Sequence, residues 1–174
     1  MLEFKVLNSS HEELEDFSLP FAKLLTEATQ LGASMGFLES TPESVFVSFW
    51  ERLLSDVRRG KAKIIYAQSD SDVVGVIALA LEQNPNASHR AELKKLIVAE
   101  SMRGQGIATK LLSLAEMEAR ISGRSLLVLD TESESDAEYL YRKTGWIEVG
   151  QIPDHSAIPS GQLRPTTLFY KLLD

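Results

Sequence analysis

Apolar and polar positions alternate with two different periods along the chain, and the change of period marks its elements. Phe4 to Leu7 reads as a short strand. After Asn8-Ser9-Ser10, whose side chains suit a helix start, His11 to Leu31 reads as helical with an interruption or restart at Pro20. Thr41-Pro42-Glu43 opens a second helix, in which Val45, Phe49, Leu53 and Val57 recur every four residues until Arg59-Gly60. The period then shortens to that of strands. Ala62–Gln68 and Val73–Leu81 flank the polar turn Ser69 to Asp72 and predict a hairpin. A loop around Asn84-Pro85-Asn86 leads to a strand from Glu92, with Leu93 to Ala99 its apolar part.

From there the order is strand, helix, strand, helix, strand. Ile107, Leu111, Leu114, Ala115 and Ile121 share one face of a helix that Ser122-Gly123 ends. Leu126 to Leu129 is a continuous apolar run, the pattern of a strand covered on both faces and parallel to the one before it. Asp136 to Thr144 predicts a short helix closed by Gly145. Trp146–Gln151 and Thr166–Leu172 supply two last strands, joined by a long loop from Pro153 to Pro165. The expectation is a single α/β (α+β) domain over residues 1–174, with a central mixed seven-stranded sheet and about four helices.

Between the strand at Leu93 and the helix at Ile107 lies Arg103-Gly104-Gln105-Gly106-Ile107-Ala108. Two glycines permit positive φ, so consecutive N–H groups can converge on an anion at the positive end of the helix dipole. The Gly-Lys-Ser/Thr ending of a mononucleotide loop is absent, and Thr109 stands where a dinucleotide fingerprint needs a third glycine. A diphosphate seat with an arginine at its mouth remains.

Composition narrows the field further. The 174 residues contain no cysteine, which excludes a disulfide framework, a thiolate metal site and a cysteine nucleophile. The formal charge of −7 argues against nucleic acid, whose binding is driven by phosphate neutralisation, and favours cationic acceptors. No apolar run suits a membrane span and Met1 to Lys5 does not open a signal peptide, so a cytoplasmic protein is expected, as a monomer or homodimer. His11, His89 and His155 lack metal-ligand spacing, and no metal is expected.

Leu96-Ile97-Val98, Arg103 to Ala108 and Ala137-x-x-x-Tyr141-x-x-x-Gly145-Trp146 together resemble the GNAT superfamily of acyl-coenzyme A dependent acyltransferases. Gly32 to Phe37, Arg90-Ala91-Glu92, Leu129 to Glu132 and Pro165-Thr166 further resemble tabtoxin-resistance acetyltransferases. Two positions depart from the superfamily pattern: Glu100 replaces a frequent proline before the loop, and Glu134 a frequent asparagine that contacts the coenzyme arm.

The resemblance implies a sheet splayed between its fourth and fifth strands, with acetyl-coenzyme A as cosubstrate. The backbone of Leu96, Ile97 and Val98 would bind pantetheine like an added strand, and the Leu96 N–H would face the thioester carbonyl. Gly104, Gln105, Gly106, Ile107, Ala108 and Thr109 would cradle the diphosphate beside Arg103. The side chains of Leu96 to Val98 read equally well as sheet core.

Acyl transfer to an amine needs a base and an acid in one cleft. Asp130 ends an apolar run, where desolvation would raise its pKa to a useful range; alternatively it caps the strand against Thr131 to Ser133. Glu92 would face it through water, or simply pair with Arg90 or Lys94. Tyr141 shares a helical face with Ala137, Leu140 and Thr144 and matches the family's tyrosine near the coenzyme sulfur, core packing being the other reading. Met35 and Phe37, in a segment whose Gly32 and Gly36 allow movement, would roof the acceptor side, with His155 touching substrate. The expected function is N-acetylation of a small amine, such as an amino-acid-like toxin or antibiotic, by direct attack on the thioester. A protein or peptide N-acetyltransferase and a non-catalytic acyl-coenzyme A sensor are the alternatives.

Overall fold

A computed structural model describes every residue from Met1 to Asp174. Its elements are β1 (Leu2–Leu7), α1 (Ser18–Gln30), α2 (Glu43–Arg58), β2 (Ala62–Ser69), β3 (Asp72–Leu81), β4 (Arg90–Val98), α3 (Ile107–Ile121), β5 (Leu126–Glu132), α4 (Asp136–Lys143), β6 (Ile147–Ala157) and β7 (Leu163–Leu172). The first helix begins later than its pattern predicts. Leu14–Phe17 is a 3₁₀ turn, and Pro20 falls in the first turn of α1, where its missing N–H would have had no carbonyl to bond, so it interrupts nothing.

The seven strands form one sheet in the order β1-β2-β3-β4-β5-β7-β6. Neighbours are antiparallel except β4 and β5, which run parallel and pair only at Arg90↔Leu126, Ala91↔Leu127 and Glu92↔Val128. Beyond Glu92, β4 stays with β3 as far as Val98, and β5 stays with β7 as far as Glu132. The two parallel strands therefore diverge, and their facing edges carry unspent backbone groups.

Each face of the sheet has its own core. One is built by Phe21, Leu25, Phe46, Trp50, Leu54 and Val57 of α1 and α2 against Ile64, Tyr66, Val76, Ala78 and Ile97. The other packs Ile107, Leu111, Ala115 and Ala119 of α3 on Ile77, Leu79, Leu93, Leu127, Leu129 and Phe169. Each large apolar side chain buried this way contributes about 1.5–3 kcal/mol. The stripe on α2 is rotated from the one its spacing predicts: Phe46, Trp50, Leu54 and Val57 are buried, whereas Val45 is exposed. Ile121 is likewise exposed at the end of α3, with Leu112 and Ala119 buried instead. In β5, Leu127 and Leu129 are buried and Leu126 and Val128 half-buried, so the run is covered more fully on one face.

The long loop expected from Pro153 to Pro165 is mostly strand. β6 reaches Ala157 and β7 begins at Leu163, leaving a short turn between them. Proline and glycine disguise this continuity. The register jumps from Ile152↔Thr166 to Ser156↔Arg164, so Pro153, Asp154 and His155 bulge outward opposite one residue, with Asp154 at φ +50°.

Candidate active site

The divergence of β4 and β5 opens a cleft of about 720 Å³ whose floor is Leu96, Ile97 and Val98. One end is the loop after β4; the other is walled by Gly32 to Met35, after α1. Gly104 and Gly106 adopt φ +76° and +77°, backbone that a side-chain-bearing residue rarely takes. A Cβ built on either would meet nothing within 4 Å, so the space in front of the loop is free. Gly106 is the N-cap of α3, and the N–H groups of Ile107, Ala108 and Thr109 have no carbonyl one turn earlier to bond. All three residues line the cleft, as do Arg103, Gly104 and Gly106. An anion resting there meets unsatisfied donors and the positive end of a fifteen-residue helix. The donor set fits a diphosphate.

Several bonds hold that loop in place. Ala99 N–H donates to Val74 O (2.9 Å), Met102 N–H to Ala99 O (2.9 Å) and Arg103 N–H to Glu100 O (3.2 Å). Glu100 N–H donates to Glu27 Oε1 of α1 (2.7 Å), a bond that a proline in its place could not make. Arg103 is exposed, and its Nε donates to Val98 O (3.3 Å). Gln105 lies off the cleft wall, its side chain 3.8 Å from Met102 Sδ. Beneath the loop, Gly75 lets α3 approach β3: a Cβ there would sit 3.0 Å from Leu111 Cδ1 and 3.1 Å from Ile107 Cγ2.

Across the cleft, Ser135 caps α4 by accepting from Glu138 N–H (3.2 Å) and donates its own hydroxyl to Glu132 O (2.7 Å). Glu138 is buried among its donors: Glu134 N–H, Arg142 (2.7 Å) and the Thr167 hydroxyl (3.0 Å). Glu134 itself adopts φ +63°, its exposed side chain meets Arg164 (3.5 Å), and it is not among the residues that line the cleft. The asparagine-like contact with the coenzyme arm has no counterpart in that orientation.

The site residues expected at the chemistry fall into two groups. Tyr141 is buried against Trp146 and Phe169, with ring centroids 5.8 and 6.0 Å away. Burial, and then the nearby negative charge of Asp130, raise its phenol well above the ordinary range, so it is a protonated donor at any physiological pH. Asp130 is exposed, so the desolvation expected of it at the end of an apolar run is absent. Glu92 stands on the same face of the sheet, since it pairs with Val128 two residues before Asp130. Its carboxylate meets Lys94 Nζ at 3.1 Å, the ion pair that its position also suggested.

The acceptor-side residues are more dispersed. Met35 lines the cleft. Phe37 is half-buried, packed on Phe46 (4.9 Å) and Phe49 (5.7 Å) rather than swinging freely. His155 is exposed on the β6 bulge, with Nδ1 2.9 Å from the Ser156 hydroxyl.

Lys95 was not anticipated. It adopts φ +54° in a β-bulge where the β3–β4 register slips between Val76 and Ala78. Its ammonium donates to Met35 O (2.5 Å) and lies 5.4 Å from the Phe37 ring centre and 5.0 Å from that of Phe49. Desolvation first, and then Lys94, push its pKa down; Asp130 and Glu92 pull it back up. The sequence does hold a trace of this bulge, because Lys94-Lys95 breaks the strand alternation between Leu93 and Leu96.

Residues 23–146 match the acetyltransferase (GNAT) family. The chain belongs to that family. It is 37% identical over 82 residues to an aminoalkylphosphonate N-acetyltransferase of Salmonella typhimurium, covering 46% of this chain and 53% of that one. It is 43% identical over 67 residues to an acetyltransferase of Agrobacterium fabrum, covering 38% and 46% respectively. The matches thus span about half the length of these curated relatives. Among solved structures, a ribosomal-protein-alanine N-acetyltransferase of Brucella melitensis superposes with a TM-score of 0.79 at 20% identity, covering 99% of both chains. A putative acetyltransferase of Salmonella typhimurium, solved with acetyl-coenzyme A, gives 0.76 at 16% identity, covering 100% of this chain and 95% of that one. These likenesses show the GNAT fold, and Tyr141 and the glycine loop lie within the matched residues 23–146. No helix is long and apolar enough to cross a membrane.

Proposed function

We propose that this protein is an N-acetyltransferase that moves the acetyl group of acetyl-coenzyme A to the amine of a small acceptor. The observation that carries the reading is the open cleft between the diverging strands, ended by a two-glycine loop with unsatisfied N–H groups. Acetyl-coenzyme A supplies a thioester activated toward amines and a diphosphate to anchor it. The diphosphate rests on Gly104, Gly106 and the first turn of α3, with Arg103 at the mouth. The pantetheine arm lies along the free edge of Leu96 to Val98, and the Leu96 N–H donates to the thioester carbonyl as negative charge develops there.

The acceptor enters as an ammonium and must lose a proton before its nitrogen can form the new C–N bond. Asp130 accepts that proton directly or through water, with Glu92 beside it holding the ammonium in place. As the C–S bond breaks, Tyr141 donates a hydrogen bond to the departing thiolate. A phenol held above its ordinary value of about 10 is a weaker acid than a thiol at about 8.5, so Tyr141 steadies the thiolate without surrendering its proton outright. Attack is direct, since the chain has no cysteine to form an acyl-enzyme.

A small acceptor is favoured by the roof over that end of the cleft. The segment after α1 is tied to β4 through Lys95 and Met35 O, and to the β6–β7 turn through Glu39 N–H and Pro159 O (2.9 Å). An extended peptide would have to displace both ties. The name of the aminoalkylphosphonate relative supports an amine that also carries an acidic group, and the tabtoxin-type motifs support an amino-acid-like compound within that class.

The test is an acceptor screen with acetyl-coenzyme A, following thiol release, across aminoalkylphosphonates, amino acids, a tabtoxin-type β-lactam, aminoglycosides and N-terminal peptides. Turnover of small acidic amines is expected. Turnover of peptides alone would replace this reading with the protein-modifying one, and tight coenzyme binding without any turnover would point to a sensor.

A further inference from the structure

One lysine in this chain is spent on a task that neither the coenzyme nor the proton transfers require. The other well-shielded lysines have carboxylate partners: Lys63 meets Glu118 at 2.7 Å and Lys171 meets Glu116 at 2.9 Å. Lys95 has a backbone carbonyl and two aromatic faces instead. A largely buried ammonium with no carboxylate in direct contact is costly, and although Asp130 and Glu92 act on it from further off, desolvation still depresses its pKa. Its backbone is costly too, because a β4 residue with a side chain sits at positive φ.

The bulge explains what these costs maintain. Before it, Ala91 and Leu93 face the α3 core; after it, Leu96 and Val98 face that side, and Ile97 faces α1 and α2. Lys95 is the extra residue, turned toward α2 and the segment after α1. Its ammonium reaches Met35 O, and Gly36 comes so close that a Cβ there would stand 3.6 Å from Nζ. Gly32 and Gly36, at φ +89° and +86°, leave this segment few side-chain constraints of its own. Met35 and Leu96 both line the cleft.

We propose that Lys95 is a positioning residue: the β4 bulge aims its ammonium at the Met35 carbonyl and the Phe37 and Phe49 rings, and so fixes the acceptor wall relative to Leu96. The same bulge that leaves Leu96 free at the reacting carbonyl sets the distance to the wall that presents the amine. This deepens the acetyl-transfer reading and rests on it for the identity of what the wall presents; the latch itself stands on geometry alone.

The test compares wild type with Lys95→Met, which keeps the apolar stem and loses the charged donor, and Lys95→Arg, which keeps a donor. Amide hydrogen exchange is measured without any ligand. In Lys95→Met, amides of residues 33–38 should exchange about tenfold faster or more, the shift expected from losing one charged hydrogen bond, while β2 and β3 stay unchanged. Lys95→Arg should retain part of the protection. With an acceptor found by thiol release, Lys95→Met should raise its KM about tenfold while the acetyl-coenzyme A Kd stays within about twofold. Unchanged exchange in residues 33–38 overturns the latch. Faster exchange with an unaltered acceptor KM overturns its role in positioning, and loosening in a protein that transfers no acetyl group to any amine leaves the latch standing and removes the acetyl-transfer reading. Should Lys95→Met fold poorly, Phe49→Leu removes one of the two rings while leaving the hydrogen bond, and a smaller loosening confined to the same residues is expected; none would again overturn the latch.

Discussion

Tyr141 and Asp130, the proposed acid and base, stand in opposite surroundings, and neither is among the residues that line the cleft. The tyrosine is surrounded by rings and keeps its proton; the aspartate is open to solvent. Tyr141→Phe should therefore lower kcat by about tenfold or more with little change in coenzyme affinity, because the lost hydroxyl matters chiefly as the thiolate departs. The shape of the pH–rate profile should survive that change, since the phenol titrates above its ordinary value of about 10. An alkaline limb below that value that disappears in Tyr141→Phe would contradict the assignment. Asp130→Asn should cost turnover while leaving stability within about 0.5 kcal/mol, as expected for an exposed side chain. Thermal unfolding beside steady-state rates separates the two effects. The sequence singles out both as candidates, one through its motif and the other as a carboxylate ending an apolar strand. It does not single out Lys95: the broken alternation at Lys94-Lys95 hints at a bulge, but which way the ammonium then points depends on long-range packing.

At the scale of elements, the glycine loop combines a backbone requirement with an open space. Gly106→Ala should cost stability by about 1–2 kcal/mol through its positive φ, measurable by denaturant titration. Gly75→Val acts from below: its side chain would collide with Leu111 and Ile107 and lift the first turn of α3, so acetyl-coenzyme A binding should weaken even though residue 75 never touches the ligand. Calorimetry on a folded variant with unchanged affinity would refute that coupling. The β3–β4 connection offers a pH test. Glu82 accepts from Asn84 N–H (3.0 Å), from Arg90 (2.9 Å) and from Gln83 N–H (2.8 Å), and these bonds bring its pKa down to about 2. Because the folded value is the lower one, its contribution to stability is fully present above the ordinary value near 4.5 and is lost as pH falls towards about 2. Wild type should lose its advantage over Glu82→Gln across that window, and a Glu82 carboxyl titrating near 4.5 by NMR would refute the account. The loop and its flanking elements were legible because local chemistry fixes them. Gly75 was not, since a glycine inside a strand reveals close packing only once its neighbour is known.

The whole molecule is a twisted sheet with an independent core on each face, and the site lies where one pair of strands separates. Trp50 lies wholly inside the α1–α2 core, and Trp50→Ala should cost about 3–5 kcal/mol in chemical unfolding. Element order and the parallel β4–β5 pair could be read from the sequence, because βαβ units carry their periodicity locally. The insertion of β7 between β5 and β6 could not, being a matter of long-range pairing. Nor could the length of β6, an edge strand exposed along most of its eleven residues and broken by a proline bulge, which removes the alternation a half-buried strand would show.

The central claim is that the space before Gly104 and Gly106 seats the diphosphate of acetyl-coenzyme A, and calorimetric titration of that ligand into wild type and folded Gly106→Val tests it directly. One-to-one binding by wild type and its loss in the variant are predicted, because the branched side chain strains the positive-φ backbone and projects into the seat. Equal affinity in the two proteins, or no binding by wild type, would contradict the account.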